Sequence, residues 1–375
     1  MTGSNNITAE QLRNSLYAWA VQHTVLADDA MREAMGLGGD ARLIPFDDSF
    51  AAYFRVRKII KLGCSRKGAI SKVSLATRLP IARAKRERLI AEFSKVYAAN
   101  NIVLDVCVEK PFKIDQSVQS TFKPVYFYNQ KISCGSSIGL GNQRNAGTLT
   151  ALAKNERGEL LGISCNHVTG GCNTASVGTP IVSPGIQDVS PDNFEISVVG
   201  LHDSTGPMSQ GLPQVFDISD NCDIAFFDIS DRDAVCSMQG EGVGCYDTPV
   251  TFAKAKEDLR VKKWGRSTGL THGEITKVVT EPESIDYNVI SYYGPISSQT
   301  FKGTVYFAKV FEVESLSINP FSAGGDSGSL VVTDQAGSEK IIGILIGGNN
   351  LKSYVLPIQE ILKKRKITII GKHNV

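Results

Sequence analysis

The stretch Ser322-Ala323-Gly324-Gly325-Asp326-Ser327-Gly328-Ser329, running directly into Leu330-Val331-Val332, decides how the chain is read. Glycines on both sides of a serine permit positive φ and let another backbone come close, so neighbouring main-chain N–H groups can aim at one point. That convergence is what an oxyanion hole requires. A Gly-Ser turn between two strands uses the same residues, so the discrimination must come from elsewhere in the sequence.

A serine hydroxyl is a weak nucleophile at neutral pH. It needs a base, and the base needs an acceptor that fixes its tautomer. Among the histidines His23, His167, His202, His272 and His373, only His167 directly follows a strand ending in small residues, Gly162-Ile163-Ser164-Cys165-Asn166, and precedes a loop, Thr169-Gly170-Gly171. Asp223 opens the apolar run Ile224-Ala225-Phe226-Phe227, where a buried carboxylate must be hydrogen-bonded. Asp217, Asp220 and Asp228 are its rivals, but none of them begins that run. The competing readings are a structural histidine and a turn aspartate.

The 375 residues suit two or three domains, and 35 glycines with 14 prolines describe a loop-rich globular chain. A formal charge of +2 gives no overall field for nucleic acid or an anionic membrane. The polar start and the acidic Asp28-Asp29 do not resemble an export signal, and no apolar run approaches a membrane span, so a soluble, cytoplasmic protein is expected. The eight cysteines fit no zinc spacing and are expected as mostly buried free thiols. No motif calls for a cofactor or a metal.

Thr8-Ala9-Glu10-Gln11 reads as a capping box before Leu12, Leu16, Trp19 and Ala20 at helical spacing. Alternation then predicts a hairpin of strands over 54–62 and 69–76, turning at 63–68. A helix follows, starting near Pro80 and burying Leu89, Phe93 and Tyr97 before a strand over 102–108. The basic cluster Arg83, Lys85, Arg86 and Arg88 on that helix is read as a solvated face, with RNA binding as the rival reading. Residues 113–133 read as an irregular connector. Beyond it come short strands over 147–153, 160–164, 180–182, 196–201, 224–229, 261–264, 273–280, 303–313, 328–333 and 341–346, then a terminal helix over 357–364 that packs Ile358, Ile361 and Leu362. Short strands without long helices between them predict an all-β sandwich or pair of barrels.

The chain order His167, Asp223, Ser327 is the chymotrypsin order. Together with Ser164-Cys165-Asn166-His167-Val168, Asp223-Ile224-Ala225-Phe226-Phe227, Gly324-Gly325-Asp326-Ser327-Gly328-Ser329, Gly343-Ile344-Leu345-Ile346-Gly347-Gly348 and Tyr354-Val355-Leu356-Pro357-Ile358, it makes residues 133–365 resemble trypsin-like (chymotrypsin-fold) serine proteases. The runs Cys134-Gly135-Ser136-Ser137-Ile138-Gly139 and Ala146-Gly147-Thr148-Leu149, and the stretch from Lys262 to Gly273, look most like non-secreted bacterial trypsin-like peptidases related to the plant narrow-leaf-type proteases.

The resemblance implies a mainly β fold, a chymotrypsin-like double β-barrel with an N-terminal α/β appendage. It divides the chain into a regulatory or recruiting module over 1–125 and a protease domain over 126–375. It makes His167 the general base, Asp223 its orienting partner, Ser327 the nucleophile, and Gly325 and Ser327 the oxyanion-hole donors. The expected partner is a protein or peptide substrate, with no membrane involved and nucleic acid weighed against by the near-neutral charge, and the chain is compatible with an oligomer. A catalytically silent trypsin fold that binds peptides is the alternative. Counting outward from Ser327, Phe321 is expected at the base of a specificity pocket walled by Ile346, Gly347 and Gly348, with Lys352 approaching from the far side, which would favour medium-sized uncharged side chains; Phe321 turning into the core and Lys352 reaching into water are equally weighted readings. Two features depart from the pattern. No cysteine directly follows His167, and no Ile-Val-Gly-Gly-like terminus is present beyond the distant echo Ile138-Gly139-Leu140-Gly141, so the Asp326 pocket must be ordered by something other than a freed N-terminus.

Overall fold

The computed structural model describes residues 7–27, 37–67, 69–77, 79, 81–108, 124–189, 195–211, 213, 217–279, 282–294, 296–349 and 351–375. The chain divides into two compact units, 1–111 and 112–375.

In the first unit, helix α1 (Ala9–Gln22) starts at the expected capping box, with Gln11 N bonded to Thr8 Oγ1 and Thr8 N to Gln11 Oε1. Helix α2 (Asp48–Arg57) is capped by Asp47, whose carboxylate accepts from Ser49 N and Phe50 N. Strands β1 (Ile59–Lys67) and β2 (Ile70–Thr77) pair antiparallel, and β2 pairs parallel with β3 (Ile102–Val108) after the crossover helix α3 (Arg83–Tyr97). Leu89, Phe93 and Tyr97 of α3, at four-residue spacing, join Leu12, Leu16, Phe50, Phe54, Val73 and Leu104 in one core. Two expectations are corrected here. Residues 54–57 close α2, because Phe50 and Phe54 face the core one turn apart, and 63–67, expected as a turn, continue β1 with Gly63 opposite Ser74 and Lys67 opposite Ile70. The basic cluster of α3 is engaged within its own unit: Arg83 with Glu87, Arg86 with Asp105 and Arg88 with Asp47.

The expected connector lies largely outside the described residues. Its described end is strand: β4 (Phe127–Tyr128) pairs with β5 (Lys131–Cys134). The second unit continues with β6 (Ser137–Leu140), β7 (Gly147–Thr148), β8 (Ala151–Lys154), β9 (Leu160–Ser164), the single turn α4 (Asn166–Thr169), β10 (Pro180–Ser183), β11 (Ser197–Thr205), β12 (Ala225–Ile229), β13 (Val235–Gln239) and β14 (Tyr246–Asp247). Then follow β15 (Arg260–Gly265), β16 (Gly269–Val279), β17 (Glu283–Tyr292), β18 (Ser298–Phe307), β19 (Val310–Ser315), β20 (Leu330–Thr333), β21 (Ile341–Gly348), β22 (Lys352–Leu356), α5 (Gln359–Arg365) and β23 (Thr368–Ile369).

One sheet of this unit runs β23-β8-β9-β12-β11-β10-β6-β7, flanked by a small sheet β14-β13-β5-β4. Six of the eight remaining strands close into a barrel, β15-β16-β19-β22-β21-β20. Strand side chains alternate, so each barrel strand sends one set inward. Val261, Ile275, Val313, Val331, Leu345 and Val355, one from each strand, form that interior with Phe311, Phe321 and Ile342. The opposite set, Leu330, Val332, Ile344, Ile346, Tyr354 and Leu356, joins the core of the first sheet, with Ile163, Phe226 and Phe227. Sharing that core fixes the two β halves against each other.

The run expected as one strand over 303–313 is two, β18 and β19. Between β16 and β19 the barrel extrudes a long ribbon, β17 paired with β18 from Glu283 opposite Phe307 to Tyr292 opposite Ser298. The terminal helix forms over α5, with Ile358 and Leu362 buried. The molecule is mainly β: a curled sheet and a closed barrel in chymotrypsin-like double-barrel form, with an N-terminal α/β unit.

Candidate active site

Each of the three expected triad residues leaves the end of a core strand. β9 ends at Ser164 and turns into α4, which carries His167; Asp223 stands two residues before β12; and Ser327 lies in the turn that feeds β20. β12 pairs with β9, Ala225 opposite Ser164, so the sheet register itself brings Asp223 to the histidine turn.

The Asp223 carboxylate is fully buried. One oxygen accepts the His167 main-chain N–H at 3.0 Å, and the other pairs with His167 Nδ1 at 2.5 Å. Holding both the ring and the backbone of one residue fixes its rotamer and leaves Nε2 free to face outward. Ser327 is brought to the same place through shared partners. The Leu345 carbonyl accepts both from Gly328 N–H and from the thiol of Cys165, two residues before the histidine, while Thr148 N–H bonds to the Ser327 carbonyl.

The carbonyls of the turn over 324–328 are all taken. Ser267 Oγ holds Gly324 O, Thr148 Oγ1 holds Gly325 O, Ser329 N and Oγ hold Asp326 O, and Thr150 Oγ1 holds Gly328 O. A trans peptide points its N–H opposite to its C=O. The bonds to Gly324 O and Asp326 O therefore turn the N–H groups of Gly325 and Ser327 the other way, and among the described residues neither N–H finds a partner. Gly325 sits at φ +96, where an added Cβ would stand 2.1 Å from Arg266 Nη1, so the turn requires glycine there on both backbone and steric grounds.

Sequence reading missed the groups that shape this turn. Asp326 accepts from Ser267 N at 2.8 Å, Thr268 N at 3.2 Å, Thr268 Oγ1 at 2.7 Å, Ala323 N at 3.0 Å and Lys263 Nζ at 3.2 Å. Lys263 and Asp326 are both fully buried. Burial pushes the Lys263 ammonium below its ordinary value, and the Asp326 charge and hydrogen bond push it back up. An internal lysine thus stands where a freed N-terminus was absent. Arg266, also buried, ties the same turn to the first sheet: its guanidinium is bidentate on Asp188, which also accepts from Ser137 Oγ. The signal for Lys263 was available in the alternation Val261, Lys263, Gly265, which puts the lysine on the inward face of β15.

Of the residues named for the pocket, Phe321 follows the inward-packing reading. Phe321 is 2% exposed and belongs to the barrel interior, with the Lys263 ammonium 5.8 Å from its ring centre. Lys352 makes a diagonal cross-strand ion pair with Glu312 at 3.0 Å. Ile346 is fully buried, Gly347 lies against Ile285 of the ribbon, and Gly348 against Lys352 and Ser353. Phe321 thus packs in the barrel interior, and Lys352, with its side chain 26% exposed, pairs along the barrel wall.

Among the described residues one set of ligating groups clusters, Cys165, His167 and Asp223, within 4.8 Å of one another. Their atoms are already committed: Nδ1 to the carboxylate and the thiol to Leu345 O. Seven described cysteines stand as free thiols; the Cys107 side chain lies outside the described ones.

No protein-family model matches the chain, and no curated protein does. Solved structures similar to it include a Nocardiopsis protease (15% identity, 63% of this chain and 97% of that one, TM-score 0.40). A glutamic acid-specific serine protease is similar at 20% identity, over 64% of this chain and 100% of that one, with a TM-score of 0.39. An alpha-lytic protease homologue, N4, is similar at 16% identity, over 62% and 96%, with a TM-score of 0.38. On its own strand order, a curled eight-stranded sheet beside a closed six-stranded barrel, residues 112–375 carry the fold class of the chymotrypsin-fold serine proteases.

Proposed function

We propose that the chain is a serine-type endopeptidase in which His167, Asp223 and Ser327 form the catalytic triad. The observation that carries this reading is the buried His167 Nδ1 to Asp223 Oδ2 bond of 2.5 Å, set beside a serine in a glycine turn with two unspent N–H groups. In the reaction, His167 Nε2 takes the Ser327 hydroxyl proton as Oγ bonds to the scissile carbonyl carbon. The carbonyl oxygen becomes an oxyanion held by Gly325 N–H and Ser327 N–H, and Asp223 stabilises the imidazolium. Collapse breaks the C–N bond, His167 passes its proton to the leaving amine, and an acyl-Ser327 ester remains. Water, deprotonated by His167, hydrolyses the ester and returns the serine.

The Lys263–Asp326 pair supports a further part of this reading, that the nucleophile turn is ordered without cleavage of a propeptide. The buried free thiols are compatible with a reducing compartment such as the cytoplasm. Among the described residues no helix is long and apolar enough to cross a membrane. The first unit, with its own core, is assigned the regulating or recruiting role; removing residues 1–111 is expected to leave Ser327 reactive while changing turnover of protein substrates.

The test is a fluorophosphonate probe, which reacts only with an activated serine. Wild-type protein is expected to be labelled and Ser327→Ala not. Asp223→Asn is expected to lose about 10⁴-fold in kcat through the wrong histidine tautomer. Equal labelling of wild type and Ser327→Ala would end the assignment, and a folded wild type that never labels would favour the peptide-binding alternative.

A further inference from the structure

The ribbon β17–β18 returns to the first sheet. Its Tyr292 N–H bonds to Asn142 O, and Ser291 Oγ bonds to Gln143 Nε2 at 2.8 Å and to Thr174 Oγ1 at 2.9 Å. These ties straddle the histidine turn, since Gln143 also holds Asn145, whose amide reaches the His167 carbonyl. Between them the ribbon buries Tyr287, 1% exposed, with its ring 5.5 Å from the His167 ring and 6.4 Å from those of Phe301 and Phe307. The Tyr287 hydroxyl donates to Asp223 Oδ2 at 3.0 Å, the oxygen that also faces His167 Nδ1.

We infer that Tyr287 is a positioning residue of the triad: the ribbon supplies the third hydrogen bond to the Asp223 carboxylate and thereby sets how strongly that carboxylate holds His167. The inference rests on the triad reading above. A buried carboxylate needs donors for its lone pairs, and among the described residues three reach Asp223, from two residues: His167 N–H, His167 Nδ1 and Tyr287 O–H. The groups facing the phenol are Asp223, His167, Cys165 and Cys172; burial first, and then the Asp223 charge, keep the phenol protonated, so its O–H donates to the carboxylate. The two donors on Oδ2 compete for the same electron density. Withdrawing the Tyr287 bond concentrates charge on that oxygen and strengthens the bond to Nδ1, while releasing the carboxylate to rotate.

The experiment is proton NMR of the full chain in water, reading the His167 Nδ1 proton, whose resonance lies far downfield because it is shared with a buried carboxylate. Its loss in His167→Gln assigns it, and the other Asp-bonded histidine, His272, is 46% exposed and exchanges with solvent. Tyr287→Phe keeps the ring packing and is expected to move this resonance further downfield, with kcat on a peptide ester falling about tenfold, the order expected for one bond to a charged group, and KM unchanged. Replacing all tyrosines by 3-fluorotyrosine, a stronger donor, is expected to move it upfield, which covers a Tyr287→Phe chain that fails to fold. A resonance that stays in place in the folded variant overturns the inference. The measurement needs no substrate, so it separates this outcome from failure of the hydrolytic reading, which Ser327→Ala decides.

Discussion

Lys263→Met is the perturbation that most directly tests how the nucleophile turn is ordered. Methionine keeps most of the aliphatic stem inside the barrel, so the change removes the ammonium without opening a large cavity. Asp326 is then a fully buried carboxylate with no counter-charge. Removing one partner of a buried pair costs about 3–5 kcal/mol. Four neutral donors from Ser267, Thr268 and Ala323 remain on the carboxylate, so a cost near the lower end, about 3 kcal/mol, is expected. Because about 1.4 kcal/mol is a factor of ten, a turn that absorbed the whole cost locally would be ordered about 100-fold less often. The assays are denaturant unfolding and the rate of fluorophosphonate labelling at Ser327. Lys263→Met is expected to lose stability, labelling rate, or a share of each adding to that cost, and Lys263→Met/Asp326→Asn to regain most of the stability because no lone charge is left buried. A single variant with wild-type midpoint and wild-type labelling would refute the role given to Lys263.

Gly325→Ala places a methyl 2.1 Å from Arg266 Nη1 and 2.6 Å from Ser267 Oγ at φ +96, so labelling should fall about 100-fold or more as the oxyanion donor turns away; an unaffected rate would remove Gly325 from the hole. His202 is buried on β11 and burial lowers its pKa below the ordinary 6.5, so the unfolded chain binds its proton first. Its contribution to stability is therefore full above about pH 6.5 and falls as pH drops through the folded value. The difference in unfolding free energy between wild type and His202→Gln should change with pH below that point and be flat above it. Under native conditions Cys64 and Cys245 should alkylate quickly, while Cys222, whose thiol is pushed up to about 11 chiefly by burial, and the buried Cys165 and Cys172 should react only on unfolding, as peptide mass mapping would show.

The strands that were legible are those whose side chains carry an apolar signal on both faces. The run over 160–164 is one, and β12 and β21 are others, because each is packed between the shared core and a second layer. Strands with an apolar signal on one face only were less legible. The ribbon β17–β18 alternates the buried Ile285, Tyr287 and Val289 with the half-exposed Asp286 and the exposed Asn288 and Ile290, and its polar members resemble loop composition. β1 carries Gly63, Cys64 and Ser65 in full register with β2, and local composition could not report a partner strand that lies further along the chain.

The candidate site divides along the same physical line. His167, Asp223 and Ser327 could be singled out because nucleophilic chemistry admits few residue types in few orders, and glycine marks the turn where a side chain would collide. Their supports face no such restriction. An acceptor such as Asp223 is satisfied by any donor that arrives at the right place, here Tyr287 from a ribbon 64 residues away. Asp326 is likewise satisfied by any cation that reaches it, and Lys263 reaches it through the inside of the barrel. Geometry selects such partners after the fold has formed, and their own residue type says little beforehand. The pocket residues are the converse case: counting six residues back from Ser327 locates Phe321, but residue type alone leaves open whether a phenylalanine lines a pocket or packs inward, and here it packs with Val261, Ile275, Val331 and Leu345 in the barrel interior.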